Sequence, residues 1–271
     1  MKRDGSIEGF EALPLALTRD GGGGAAVLRR RSARPGRRAV VYVHCPGDAF
    51  VDDELVVWFT HRGFHFYAAD LREVGAEAGP GQDGNRVVAD LSECFSCLDA
   101  AAAHVRQADA IETVVICAHG TGALVSALWC HARRASGSTD ALVLATPHLS
   151  RGSSWRARLG AAREDGGPAG RRAAMRAAAQ RRLRRGLDIA CPVLVMCPAR
   201  EWDSAGVATG PLVLRALFSA PATVRLGEHV TWLKLDGGQP FPDAPERKRF
   251  FDELGRWLGA YLSGQVRDQL L

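Results

Sequence analysis

Lysine is almost missing from this chain of 271 residues, with three lysines against 32 arginines. Beside the heavy use of alanine and glycine, that imbalance reads as a bias towards GC-rich codons, so the formal charge of +5 carries little functional weight. No stretch approaches the roughly 20 uninterrupted apolar residues of a membrane-spanning helix. The opening Met1-Lys2-Arg3-Asp4 runs into charge rather than the apolar core of a secretory leader. A soluble, cytoplasmic protein is the expectation. No glycine-rich phosphate loop of the dinucleotide or Walker kind follows any strand pattern, which argues against a nucleotide enzyme. Aromatics are scarce, and none interleaves with the seven arginines between Arg171 and Arg185. A solvated helix face is therefore preferred there over a nucleic-acid or anionic-lipid surface.

What is present is a globular composition, 46% apolar, ample for a real core. The seven cysteines are an odd number spread through a long chain, and Cys117, Cys130, Cys191 and Cys197 fall in apolar runs. Packed free thiols fit this better than a disulfide frame. Cys94 and Cys97 form a Cys-x-x-Cys within an amphipathic helical pattern, with no second pair and no matching histidines, so neither zinc nor redox use is expected. No cofactor or metal is expected anywhere.

Phe10 to Leu17 and Ala25 to Arg30 flank four glycines and predict two antiparallel strands. Buried strands follow at Ala39 to His44, Phe64 to Asp70, Thr113 to Ala118, Ala141 to Ala145 and Pro192 to Cys197, and a last alternating strand at His229 to Leu235. Helical spacing runs over Asp53 to Arg62, Val87 to Val105, Ala123 to Arg134 and Phe250 to Leu262. Strands alternating with helices, with apolar runs too continuous for a one-sided sheet, predict an α/β fold with a mostly parallel central sheet and helices on both faces. Ligands of such sheets sit beyond the carboxyl ends of the strands.

At one of those ends a strand runs into Ala118-His119-Gly120-Thr121-Gly122-Ala123 and then a helix, which resembles the nucleophile elbow of α/β-hydrolases. Val43-His44-Cys45-Pro46-Gly47 resembles their His-Gly oxyanion loop, and Ala69-Asp70-Leu71-Arg72 their Asp-x-Arg turn. The branch most similar is that of monoacylglycerol lipases and serine aminopeptidases. The resemblance implies a core at 1–147 and 189–271, interrupted by a short, Arg-rich helical lid at 148–188. It also implies a catalytic triad, and the expected positions do not carry one. Gly120 stands where the serine belongs, Pro211 or Gly210 where the acid belongs, and Pro240 lies in the stretch where the histidine belongs. No histidine occurs after His229. Glu201 and Asp203 remain nearby as acids.

Removing such a triad costs on the order of a million-fold in turnover. The expectation is therefore a protein that is not a Ser-His-Asp hydrolase. It would be a cofactor-independent natural-product enzyme forming carbon–carbon bonds, adding or cyclising on a bulky apolar or aromatic substrate. The alternative is an inactive pseudo-hydrolase that binds a small molecule or a protein. Backbone N–H groups of Thr121 and Cys45 would serve as oxyanion donors. His148 and Thr121 are the candidate catalytic residues, although a structural role for Thr121 is the simpler reading. Candidate pocket residues are His44, Cys45, Asp48, Gly120, Trp155, Trp202, Gln239 and Phe241. His44 and His119 also read as braces for the loop and elbow, and Cys45 as packing. No nucleic-acid partner is expected, and a homodimer is left open.

Overall fold

The computed structural model describes residues 9–15, 26–30, 36–44, 53–70, 94–108, 110–145, 182, 187–198, 230–235 and 244–262. They form one eight-stranded sheet. A hairpin of β1 (Glu11–Pro14) and β2 (Ala26–Arg30) is antiparallel, and β2 joins β4 (Phe64–Asp70) antiparallel as well. The other strands, β3 (Arg38–His44), β5 (Thr113–His119), β6 (Ala141–Ala145), β7 (Val193–Pro198) and β8 (Val230–Leu235), continue from β4 as a parallel block. The spatial order is β1-β2-β4-β3-β5-β6-β7-β8. The strands run in the predicted places, with ends displaced by a residue or two, except that β1 stops at Pro14, three residues short of the expected Leu17.

Among the described residues, four helices cover the sheet: α1 (Asp53–His61), α2 (Phe95–Ala108), α3 (Gly120–Ala132) and α4 (Ala244–Leu262). Successive strand residues point to opposite faces, so the apolar runs split into two cores. Val41, Val43, Ile116, Ala118, Leu142, Leu144 and Val195 pack with α2 and α3 on one face. Tyr42, Phe66, Cys117, Val143 and Met196 pack with α1 and α4 on the other. Strands covered on both faces bury both rows of side chains, which explains their predominantly apolar composition.

Three helices start elsewhere than their periodicity predicts. Helix α2 begins at Phe95 where the spacing runs from Val87, and 87–93 lie outside the described residues. Helix α3 begins at Gly120, three residues before the apolar pattern, because Gly120 takes a positive φ of 56° and turns the chain directly from strand into helix. Helix α4 begins at Ala244, six residues before its apolar stripe. Its first turn holds Pro245, tolerated there because the missing N–H would have no partner inside the helix.

Helix α3 is fastened to α2 by a carboxylate. Asp99 accepts a hydrogen bond from the Trp129 indole N–H at 2.8 Å and from Arg133 through Nε at 2.9 Å and Nη2 at 2.7 Å. Burial pushes the Asp99 pKa up, but the Arg133 and Trp129 hydrogen bonds and the Arg133 charge outweigh it and hold the carboxyl below its ordinary 3.8. A depressed carboxylate contributes stability above the unfolded pKa of about 3.9 and loses it as pH falls through the lower folded value. The stability gap between the protein and Asp99→Asn should therefore be constant above about pH 5 and shrink below about pH 4. Both partners are more than a third exposed, so solvent screening limits the ion-pair part to about 1 kcal/mol. Urea denaturation at several pH values checks this.

Among the described residues, no helix is long and apolar enough to cross a membrane.

Candidate active site

The parallel block brings β3 and β5 side by side, with Val43 opposite Ala118, so their carboxyl ends emerge together at the middle of the sheet. Strand β3 ends in His44, stacked on Tyr42 with ring centroids 6.2 Å apart, and β5 ends in His119. Both imidazoles are buried, at 4% and 8% exposure. His44 lies opposite Asp70 at the end of β4, and His119 opposite Ala145 at the end of β6.

The turn after β5 is the sharpest feature of this edge. His119 is still extended (φ −124°, ψ 145°), Gly120 swings to φ 56°, and the helix begins at once. Glycine adopts that left-handed conformation without the steric penalty a side chain brings. The same replacement takes the hydroxyl away from the tip.

Gly122, two residues on, seats α3 against β3. A Cβ built on it would lie 2.5 Å from the carbonyl oxygen of Val43 and 3.3 Å from the carbonyl carbon of His44. The first turn of α3 therefore rests on the end of β3. His119, the N-cap, makes no side-chain capping bond. The first-turn N–H groups have no partners inside the helix, and the positive end of the helix dipole lies at this edge. An oxygen atom that gains negative charge in a reaction would be stabilised there.

Of the candidate residues, the structure brings His44, Gly120 and Thr121 together at this edge, with Thr121 as the second residue of α3. Cys45, Asp48, His148, Trp155, Trp202, Pro211, Gln239, Pro240 and Phe241 lie outside the described residues, as do Gly210, Glu201 and Asp203. So does nearly all of the insertion expected at 148–188. Sequence reasoning passed over Gly122 as a contact residue; its signal was the second glycine of Gly-Thr-Gly, which a close approach of helix to strand demands. The interior thiols are not nucleophile candidates. Burial alone pushes Cys117 up to about 12, and such thiols stay protonated and inert. Among the described residues, no group of three or more side chains is placed to hold a metal ion.

Residues 35–185, more than half of the chain, match the family described as "Serine aminopeptidase, S33". The chain belongs to this serine aminopeptidase family. The fold is that of the α/β-hydrolases. An esterase of Pyrococcus furiosus is 9% identical with a TM-score of 0.60, over 93% of this chain and 91% of its own. A monoacylglycerol lipase of Paleococcus ferrophilus is 16% identical with a TM-score of 0.57, over 87% and 99%. A 2,6-dihydroxy-pseudo-oxynicotine hydrolase is 17% identical with a TM-score of 0.61, over 93% and 68%. At such identities the likeness establishes the fold. No curated protein matches the chain in sequence.

Membership of the serine aminopeptidase family corrects the functional expectations drawn from the replaced triad. The expectation of a protein that is not a serine-type hydrolase, and with it carbon–carbon bond formation, addition or cyclisation in natural-product synthesis, is overturned by the family match. So is the alternative of a pseudo-hydrolase without turnover. The physical reason lies in the backbone: the positive-φ turn, the start of α3 and its contact with β3 are in place although a glycine stands at the tip.

Proposed function

We propose that this chain is a cytoplasmic, esterase-type hydrolase that cleaves the acyl bond of a small apolar or aromatic substrate at the carboxyl ends of β3 and β5. The observation that carries the reading is the elbow itself, with Gly120 at φ 56° between β5 and α3 and Gly122 seated on β3, in a member of a serine hydrolase family. Gly120 has no hydroxyl, so the attacking group comes from the next residue in the chain, Thr121. Its oxygen adds to the acyl carbon and its proton passes to His148, which lies three residues beyond the Ala145 that pairs with His119. The charge growing on the acyl oxygen is met by first-turn N–H groups of α3 and the N–H of Cys45. The proton then goes to the leaving group, and water hydrolyses the acyl-threonine by the reverse route. The five free cysteines among the described residues fit a reducing compartment.

Turnover of p-nitrophenyl esters of graded acyl length, with peptide mapping of a fluorophosphonate adduct, tests this. The adduct should map to Thr121. Thr121→Val should abolish it and lower kcat/KM by about 100-fold or more, while Thr121→Ser retains activity. No hydrolysis across the series, or an adduct on another residue, would overturn the proposal.

A further inference from the structure

We propose that His131 is a pH-sensitive clasp between the end of α3 and the chain entering β7, gripping the Asp188 amide when neutral and letting it go when a proton is taken up. His131 lies in the last turn of α3 and is half-buried, so its ring exchanges protons with solvent. Its Nδ1 accepts a hydrogen bond from the Asp188 N–H at 2.8 Å, and the Asp188 carbonyl oxygen lies 3.1 Å from the same nitrogen. A nitrogen that accepts must present a lone pair, which places the hydrogen of the neutral ring on Nε2.

The stretch gripped in this way is anchored on both sides of Asp188. Leu187, Ile189 and Cys191 sink into the core that holds α2 and α3, while Asp188 and Ala190 are exposed, the alternation of an extended chain. Pro192, at its far end, accepts the Leu142 N–H at 2.9 Å and joins the stretch to β6. Three charged groups surround the imidazole among the described residues. Arg134 donates to the His131 carbonyl at 3.0 Å, and its Nε lies 3.5 Å from the Asp188 carboxylate. Arg133, in the same turn, is engaged by Asp99 of α2.

Imidazoles take up a proton between neutral and mildly acidic pH. Here the proton adds to the Nδ1 lone pair, the Nε2 hydrogen stays, and the ring gains one positive charge. Two N–H groups then point at each other, and the Asp188 amide loses its acceptor. The new Nδ1–H turns to the Asp188 carbonyl oxygen, so the bond reverses its direction while the chain stays beside the helix. The carbonyl end of α3 and the Asp188 carboxylate both favour a cation at this place. Against it stand only the two guanidiniums, each already facing a carboxylate. An amide without a partner is open to exchange with water. Acid thus loosens one tie at the entrance of β7, on the helix whose other end forms the elbow.

The experiment records nitrogen-resolved NMR spectra of the isotope-labelled, full-length protein at pH 8 and pH 5. A scalar coupling across the bond between the Asp188 amide nitrogen and His131 Nδ1 should be present at pH 8 and absent at pH 5. Over the same range the Asp188 amide should lose about 10-fold or more of its protection against hydrogen exchange, while amides of β5 and β6 keep theirs. Asp188→Asn retains the backbone N–H and should show the same change, which separates the ring from the carboxylate. His131→Asn has no titrating side chain and should show none. A coupling that persists at pH 5, no coupling at pH 8, or an equal change in His131→Asn would each overturn the proposal. The wild-type coupling carries the result even where a variant folds poorly. The outcome is independent of whether the elbow hydrolyses esters.

Discussion

Replacing Trp129 by alanine is expected to destabilise the protein by about 4 kcal/mol, a large share of the roughly 5–15 kcal/mol that holds a domain folded. Trp129 is entirely buried, at 0% exposure, in the core between α3 and the sheet. Truncation removes the whole indole from a close-packed interior and leaves a cavity that the surrounding strands, fixed by their ladders, cannot collapse to fill. It also deprives Asp99 of its indole donor and leaves the carboxylate to Arg133 alone. Trp129→Phe separates the two effects. It keeps most of the apolar volume, so its cost should be nearer 1–2 kcal/mol, the lost N–H bond plus a smaller void. Urea midpoints of both variants, followed by circular dichroism, check the difference. Near-equal losses would mean that the hydrogen bond, not the volume, makes Trp129 indispensable.

The second large effect is expected at Gly122. A methyl group there would stand 2.5 Å from the Val43 carbonyl oxygen and 3.0 Å from its carbon. Those atoms belong to a central strand bonded on both sides, so they cannot yield as the tip of a flexible side chain can. Gly122→Ala must push the first turn of α3 away from β3, at a cost of about 3 kcal/mol. Such a shift would also move the helix N–H groups away from the end of β3, and ester turnover should fall further than the folded fraction does. Gly259→Ala, with open space around its Cβ in α4, is the control and should be neutral or stabilising by up to about 1 kcal/mol. Wild-type stability of Gly122→Ala would show that the elbow tolerates a looser seat.

The strands were legible because each is a run of β-branched and small apolar residues bounded by turn chemistry, and because a doubly covered sheet needs such runs. The elbow was legible as a motif, and its glycine was correctly located at the bend. Helix starts were harder. Gly120-Thr121-Gly122 has the composition of a loop and becomes helix only because α3 is pressed against β3, a tertiary contact that local propensity does not contain. The polar first turn of α4 likewise carries no stripe to read. The Asp99 clamp joins residues 30 and 34 positions apart, and a pattern of period 3.6 or 2 is blind to such pairs. The functional inference failed at a particular step. It took the replacement of the serine, acid and histidine positions together as the loss of the whole reaction, and the family match overturns that reading; the backbone of the elbow does not register in residue identity.

The hairpin at the rim has a consequence for life in a crowded solution. Among the described residues, strand β1 is the outermost on its side of the sheet. An outermost strand can serve as a template for another chain to add to. Here it is only four residues long, opens with Glu11 and closes with Pro14, which has no amide hydrogen to offer. A second molecule finds a charge at one end, a gap in the ladder at the other and little length between, so the sheet stops growing where the chain stops it.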